Sequence, residues 1–419
     1  MTKATLAMQV RTVNESAQAI SLSKGADAGA LPKIRARWLF IDGANAFGGH
    51  EVMLVRWLEE LNRQRTVEPF LLAPEGSRLF QEGSKYAVTH ALPRQEQGAV
   101  ASKWGVLKDS AALMRAIRAV EPDLCVVAEG CLMSQPAIAH VARLLGLRVV
   151  VYVPLVQTSV SMGFGRGELR DALVRRWYAN LPHGWVTITA EQAEDFRRWA
   201  GVRKPILTLP NTVAAQVEQQ ASVEVRSATS NDKRLRVLVL GRLDAQQKGL
   251  DLLLAHMRKH PQLGEHLLVT LVGDGPFEAE IQQQLTQDTA LRRWLALRSW
   301  SPTSTAMRDH DVLLMSSRFE GVPLVMLEAM AMGLPVVAPD LPGTRAFLEA
   351  DCMFPKGNMD AAFKILDRMV DPTIRAQIET RNRSAFRAQA SNASFESAVR
   401  ELTPRLQALG RAARQRRSA

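Results

Sequence analysis

The feature that most constrains this chain is a unit that recurs along it: a short apolar run, a glycine turn, then a segment with apolar residues at helical spacing. The first copy opens with Ala36-Arg-Trp-Leu-Phe-Ile41, runs through Gly43-Ala-Asn-Ala-Phe-Gly48-Gly49-His50, and continues with Val52, Val55, Leu58 and Leu61 one helical face apart. A strand that feeds a helix through a glycine turn is the opening unit of a doubly wound sheet. Strand-like runs follow at 67–73, 124–128, 148–153, 185–189 and 206–209, with helical segments at 109–120, 135–145 and 190–199.

A second series begins at 236. Strands are expected at 236–240, 267–272, 294–300, 312–315 and 336–338, and helices at 249–258, 276–287, 324–332 and 363–369. Residues 374–409 read as helical with a break at Pro404. Strands alternating with helices predict parallel sheets, and two series predict an α/β chain of two Rossmann-like domains facing across a cleft. The expected divisions are a mobile extension over 1–33, a first domain over 34–213, a polar linker over 214–233, a second domain over 234–389, and a terminal helix with a basic tail over 390–419.

Composition narrows the class of function. The 419 residues are 47% hydrophobic and 23% charged, as in folded proteins. No apolar run approaches the roughly 18 residues that span a bilayer, and residues 1–30 lack the apolar core of a signal peptide. The three cysteines form no CxxC pair, which fits a reducing compartment. A net charge of +11 calls for an anionic partner. No nucleic-acid module is present, which leaves phosphorylated ligands and an anionic membrane face. The densest cationic cluster is Arg411, Arg414, Arg416 and Arg417.

Three segments of the second half carry chemistry together. In Val239-Leu-Gly241-Arg242-Leu-Asp-Ala-Gln-Gln-Lys248-Gly249, two cations follow a strand end, where they can neutralise a diphosphate. Alone they would read as surface charge. In Leu271-Val-Gly273-Asp274-Gly275-Pro276, glycines allow close approach to the backbone. In Ser316-Ser-Arg-Phe-Glu320-Gly321-Val322-Pro323-Leu324-Val-Met-Leu-Glu328, two glutamates lie eight apart around a helix start. The free N–H groups of such a start attract anions. Pro323 has none to give, so Gly321, Val322, Leu324 and Val325 are the expected donors. Glu328 is placed to accept from vicinal hydroxyls, and Glu320 to meet a sugar.

With these motifs, the chain resembles a family 4 glycosyltransferase of the GT-B superfamily over roughly residues 36–400, most strongly over 236–345. Gly48-Gly49 resembles that family's loop near the donor phosphates, Thr187-Ile-Thr-Ala-Glu-Gln-Ala-Glu194 its late first-domain strand and helix, and Leu209-Pro-Asn211 its turn before the linker. The resemblance implies retaining transfer from a nucleoside-diphosphate sugar, with no metal and no cofactor. It implies phosphate binding by Arg242 and Lys248, ribose binding by Glu328 and sugar contacts by Glu320. It also implies a terminal helix that returns to the first domain. The acceptor expected is a saccharide or lipid-linked saccharide, handled in the cytoplasm or at the inner face of its membrane.

One departure stands out. Where the family carries a histidine after the strand at 149–153, this chain has Pro154-Leu-Val-Gln157-Thr-Ser159. Gln157 and Ser159 are the acceptor-side candidates, but an amide is neither acid nor base. His50 and His183 are candidates to compensate. Asp309-His310-Asp311 looks like a metal motif and is read as structural; Trp300, near a strand end, is a candidate for contact with the base. A non-catalytic GT-B subunit and a nucleotide-sugar epimerase or hydrolase are the competing readings. A nicotinamide-dependent dehydrogenase is a weaker one, since the turn near Gly43 lacks a full GxGxxG.

Overall fold

The structure, a computed structural model, describes residues 35–45, 47–92, 103–223 and 233–411. The extension over 1–33 and the arginines beyond residue 411 lie outside the described residues.

Two parallel sheets organise the chain. The first has seven strands in the order β3-β2-β1-β4-β5-β6-β7: β1 (Ala36–Ile41), β2 (Val67–Pro74), β3 (Val88–Leu92), β4 (Leu124–Ala128), β5 (Val149–Tyr152), β6 (Gly184–Thr187) and β7 (Ile206–Thr208). The second has six in the order β10-β9-β8-β11-β12-β13: β8 (Leu235–Leu240), β9 (Leu267–Val272), β10 (Leu295–Arg298), β11 (Val312–Leu314), β12 (Val336–Pro339) and β13 (Met353–Phe354). Each sheet is a Rossmann-like unit whose strand order reverses once, between β1 and β4 and between β8 and β11. Buried strands such as Leu124-Cys-Val-Val-Ala128 are apolar on both faces because helices cover both sides.

The described helices of two turns or more are α1 (Gly49–Gln64), α2 (Lys103–Val120), α3 (Pro136–Leu144), α4 (Gly167–Arg176), α5 (Ala190–Ala200), α6 (Ala215–Val223), α7 (Leu250–Lys259), α8 (Glu278–Gln287), α9 (Leu324–Ala331), α10 (Met359–Arg368), α11 (Pro372–Gln389) and α12 (Asn392–Arg411).

Two expectations change. Residues 214–233 are not wholly a polar linker: they open with α6, and Val217 packs on the core of the second sheet. The break in the terminal helical stretch falls at Ala390 and Ser391, whereas Pro404 lies inside α12. Ser391 caps the new helix, its Oγ accepting from Ser394 N–H at 3.3 Å. Buried Leu402 and Leu406 flank Pro404 and hold the helix through it. With Phe395 and Val399, they join Trp38, Phe40 and Trp57 in the core on one face of the first sheet.

Candidate functional site

The site assembles at the reversal of strand order in the second sheet. A recess open to solvent is lined by the ends of β8 and β11, with Gly241, Arg242, Lys248, Ser316, Ser317 and Val325 around it. Ligands bind at such crevices because strand carboxyl ends and helix starts converge there. Gly273 packs against Gly241 of that lining: at φ +152°, a Cβ added to it would lie 1.9 Å from Gly241 O. Two strand-to-helix turns touch there, and only glycine permits it.

The two cations differ in their surroundings. Arg242 is exposed and has no hydrogen-bond or ion-pair partner among the described residues. Lys248 ends a short helix, Ala245–Lys248, that Asp244 caps. Its Nζ donates to Glu320 Oε1 at 2.5 Å, and Ser317 Oγ donates to the same oxygen at 2.8 Å. Ser316 Oγ donates to Lys248 O at 2.7 Å, which fixes the end of that helix. Arg318 points elsewhere, forked onto Asp251 at 2.7 and 2.6 Å; the guanidinium holds the Asp251 carboxyl below its usual range.

The loop from Ser316 to Pro323 is held between the two sheets. Gln157 Nε2 donates to Glu320 O at 3.3 Å, and Asn211 Nδ2 donates to Val322 O at 2.8 Å. A Cβ at Gly321 would lie 2.5 Å from Pro154 O, so this position needs glycine for the first half of the chain to approach. Pro323 then starts α9, whose first turn no side chain caps. A helix start left open in this way presents its N–H groups to an anion. Glu328 lies further along α9. Burial pushes its carboxyl up to about 7, and a hydrogen bond with Thr303 offsets part of that rise.

Across the cleft, Gly48 and Gly49 begin α1, and a Cβ at Gly49 would lie 3.7 Å from the Leu324 side chain. The starts of α1 and α9 therefore face each other. His50 is pinned between two buried carboxylates, Nε2 3.0 Å from Asp42 Oδ2 and Nδ1 3.0 Å from Glu51 Oε2. Burial alone would lower its pKa, but the bonds and charges of Asp42 and Glu51 outweigh it and hold it at about 9. His50 is thus a cation at neutral pH with both nitrogens engaged, and no base. His183 lies at the amino ends of β5 and β6, where its Nδ1 accepts from Val149 N–H at 3.1 Å and Nε2 lies 2.9 Å from Arg143. Burial and the cations Arg143, Arg148 and Lys204 push it down to about 4. Neither histidine stands in for the one the loop lacks.

The remaining candidates fall into place as scaffolding or edge. Ser159 is buried and its N–H donates to Asp171 Oδ1 at 2.7 Å. Asp311 pairs with Arg236 at 2.9 Å, and His310 Nδ1 lies 2.6 Å from Ala306 O, so that triplet serves the fold. Trp300 is exposed, its N–H 3.4 Å from Asp274 Oδ1. Sequence reasoning missed a buried polar network under the first domain's side of the cleft. Gln135 Nε2 donates to Asp42 Oδ1 at 2.9 Å, and Tyr178 OH to Glu129 Oε1 at 2.5 Å. Burial pushes Glu129 up to about 7, against the hydrogen bonds of Tyr178 and the 133–135 backbone. The signal was present: Asp42 and Glu129 end β1 and β4, the strands that flank the reversal in the first sheet.

Comparison with known proteins bears on the fold and on the second half of the chain. Residues 234–371, about a third of the chain, match the family described as Glycosyl transferases group 1. The amylovoran biosynthesis glycosyltransferase AmsK of Erwinia amylovora is 30% identical over 167 residues, 35% of this chain and 40% of AmsK. The sulfoquinovosyl transferase SQD2 of Arabidopsis thaliana is 34% identical over 119 residues, 28% of this chain and 22% of SQD2. The chain thus spans well under half the length of these curated relatives. Anabaena HepE, solved in complex with UDP and glucose, superposes with a TM-score of 0.66 at 18% identity, covering 88% of this chain and 99% of HepE. The fold is GT-B, and the likeness to the glycosyl transferases group 1 family lies in its second half.

Proposed function

We propose that the protein is a glycosyltransferase that moves a sugar from a nucleoside-diphosphate sugar to a saccharide or lipid-linked saccharide, with retention, as family 4 enzymes do. The observation that carries the reading is the Lys248–Glu320 pair beside the unpartnered Arg242, between two facing helix starts. A diphosphate entering there draws Lys248 from Glu320. The charge that builds on the leaving diphosphate then meets Arg242, Lys248 and the N–H groups of α9, fixed before the reaction begins. Glu320, released, is free to accept from a sugar hydroxyl, and Glu328 from the ribose. Two cations and two helix starts supply the positive charge that a divalent metal supplies elsewhere, which supports a metal-independent reaction.

Printed names of relatives support the setting. AmsK is named for amylovoran biosynthesis, and an Escherichia coli relative for transfer of galactose to a diphosphoundecaprenol-linked sugar. We place this protein in the same kind of work, polysaccharide or glycolipid assembly at the cytoplasmic face of a membrane. The epimerase or hydrolase reading needs a base in the cleft, and the engagement of both His50 nitrogens disfavours it. The non-catalytic reading draws support from Gln157, which reaches the Glu320 loop where the family has a histidine.

Sugar-labelled UDP, GDP and ADP donors incubated with polyprenol-linked saccharides, with EDTA present, test the proposal. Label passing to the lipid phase from one donor supports it. Donor binding without transfer from any of them would leave the non-catalytic subunit as the answer.

A further inference from the structure

The loop that carries Gln157 runs directly into α4, and this part of the surface is unlike the rest. Val160, Leu169, Leu173 and Trp177 are 54, 58, 43 and 40% exposed. On α4, Leu169 and Leu173 are four residues apart, and Trp177 follows after four more, so they form one outward stripe. The core does not need them: the same helix turns Asp171 and Val174 inward. Asp171 accepts from the N–H groups of Ser159 and Val160 at 2.7 and 3.2 Å, which locks the exposed Val160 against the helix. The Trp177 ring lies 5.7 Å from that of His140 on α3, and Leu144, one turn further along α3, is 66% exposed. Arg166, Arg175 and Arg176 are exposed around this stripe, with Glu168 the exposed acid on the helix.

We propose that this face, Val160 with the outer side of α4 and the end of α3, docks the protein on an anionic lipid surface. An apolar stripe bordered by arginines with a tryptophan at its end matches the headgroup boundary, where aliphatic chains enter the acyl layer and guanidinium groups meet lipid phosphates. The charge of the chain, +11, favours the same partner. The face adjoins the loop of Gln157 and Ser159, so a docked protein presents its acceptor side at the membrane. The inference deepens the function proposed above and rests on it for the acceptor; the lipid contact stands on the surface itself.

The test is sedimentation with vesicles of one part phosphatidylglycerol to two parts phosphatidylcholine, and with phosphatidylcholine alone. The full chain is expected to bind the anionic vesicles and to leave them at high salt. The double variant L169D/L173D should bind at least about tenfold more weakly, and R175Q/R176Q roughly tenfold more weakly at low salt. Unchanged melting temperatures and unchanged binding of the nucleotide sugar would show that both variants fold. Equal vesicle binding by L169D/L173D and wild type overturns the proposal and moves the contact elsewhere, as to the arginine-rich tail. A wild type that ignores vesicles but is dimeric, with L169D/L173D monomeric, overturns it in favour of a second copy of the chain. Vesicle binding without nucleotide-sugar binding would instead overturn the function proposed above and leave the docking face intact.

Discussion

Lys248 Nζ donates to Glu320 Oε1 at 2.5 Å, so the cation at the end of one strand-to-helix turn is held by the carboxylate at the tip of another. Each group satisfies the other while the cleft is without ligand. The two substitutions therefore predict opposite results. If Lys248 holds a phosphate as proposed, Lys248→Ala should weaken nucleoside-diphosphate binding about tenfold or more. Glu320→Gln removes the competitor for Lys248, so binding of the bare diphosphate should hold or tighten. Transfer should fall by about a hundredfold, because the sugar loses its charged partner. Calorimetry with the diphosphate and a transfer assay on both variants separate these effects.

Glu328 gives the site a pH dependence. With its carboxyl at about 7, it is largely protonated in mildly acidic solution. In the proposed complex ribose hydroxyls donate to the ionised form, so binding there takes the proton off. Nucleotide affinity should rise with pH, by up to about tenfold per unit, and level off above 7. Glu328→Gln should bind more weakly and lose that slope. Titrations at several pH values, in buffers of different ionisation enthalpy, would also count the released proton.

His50 predicts a stability profile of the opposite sign. Its folded pKa of about 9 exceeds the unfolded value near 6.5. The stabilisation is complete below that unfolded value and is lost as pH rises through the folded one. The loss is on the order of 3 kcal/mol, given that the side chain is 15% exposed. Urea unfolding across that window should show the decline in wild type and a flatter profile in His50→Asn.

Gly321 marks where the two halves approach. A methyl group there meets Pro154 O at 2.5 Å, and backbone has to move to admit it. Gly321→Ala should cost about 1–3 kcal/mol and raise the donor KM more than it lowers kcat, since the loop carrying Glu320 shifts. Donor saturation curves beside thermal melts check this.

Much of the fold is legible in the sequence because buried parallel strands must be apolar on both faces, and Leu124-Cys-Val-Val-Ala128 or Leu267-Leu-Val-Thr-Leu-Val272 announce themselves. β3 does not: Val88-Thr-His-Ala-Leu92 is an edge strand that buries only Leu92. Pro404 misled for the converse reason, since the packing of Leu402 and Leu406 outweighs one lost backbone bond, while the Ser391 cap is a weaker local signal. Ser391→Ala should therefore destabilise by about 1 kcal/mol, whereas Pro404→Ala should be neutral or stabilising. At the site, the glycines and the spacing of Glu320 and Glu328 were readable because backbone approach and helix starts have local signatures. The clasp of Asn211 on Val322 O and of Gln157 on Glu320 O joins residues 111 and 163 positions apart, and no local pattern encodes it.

Arg242, Lys248 and the facing helix starts are proposed to form a metal-free site for a nucleoside-diphosphate sugar. Calorimetric titration of UDP-, GDP- and ADP-glucose into wild type and Lys248→Ala, in EDTA, tests it most directly. Saturable binding of one nucleotide class by wild type, and at least about tenfold weaker binding by the variant, is the expected result. Binding that appears only when a divalent metal is added, or that survives Lys248→Ala unchanged, would contradict it.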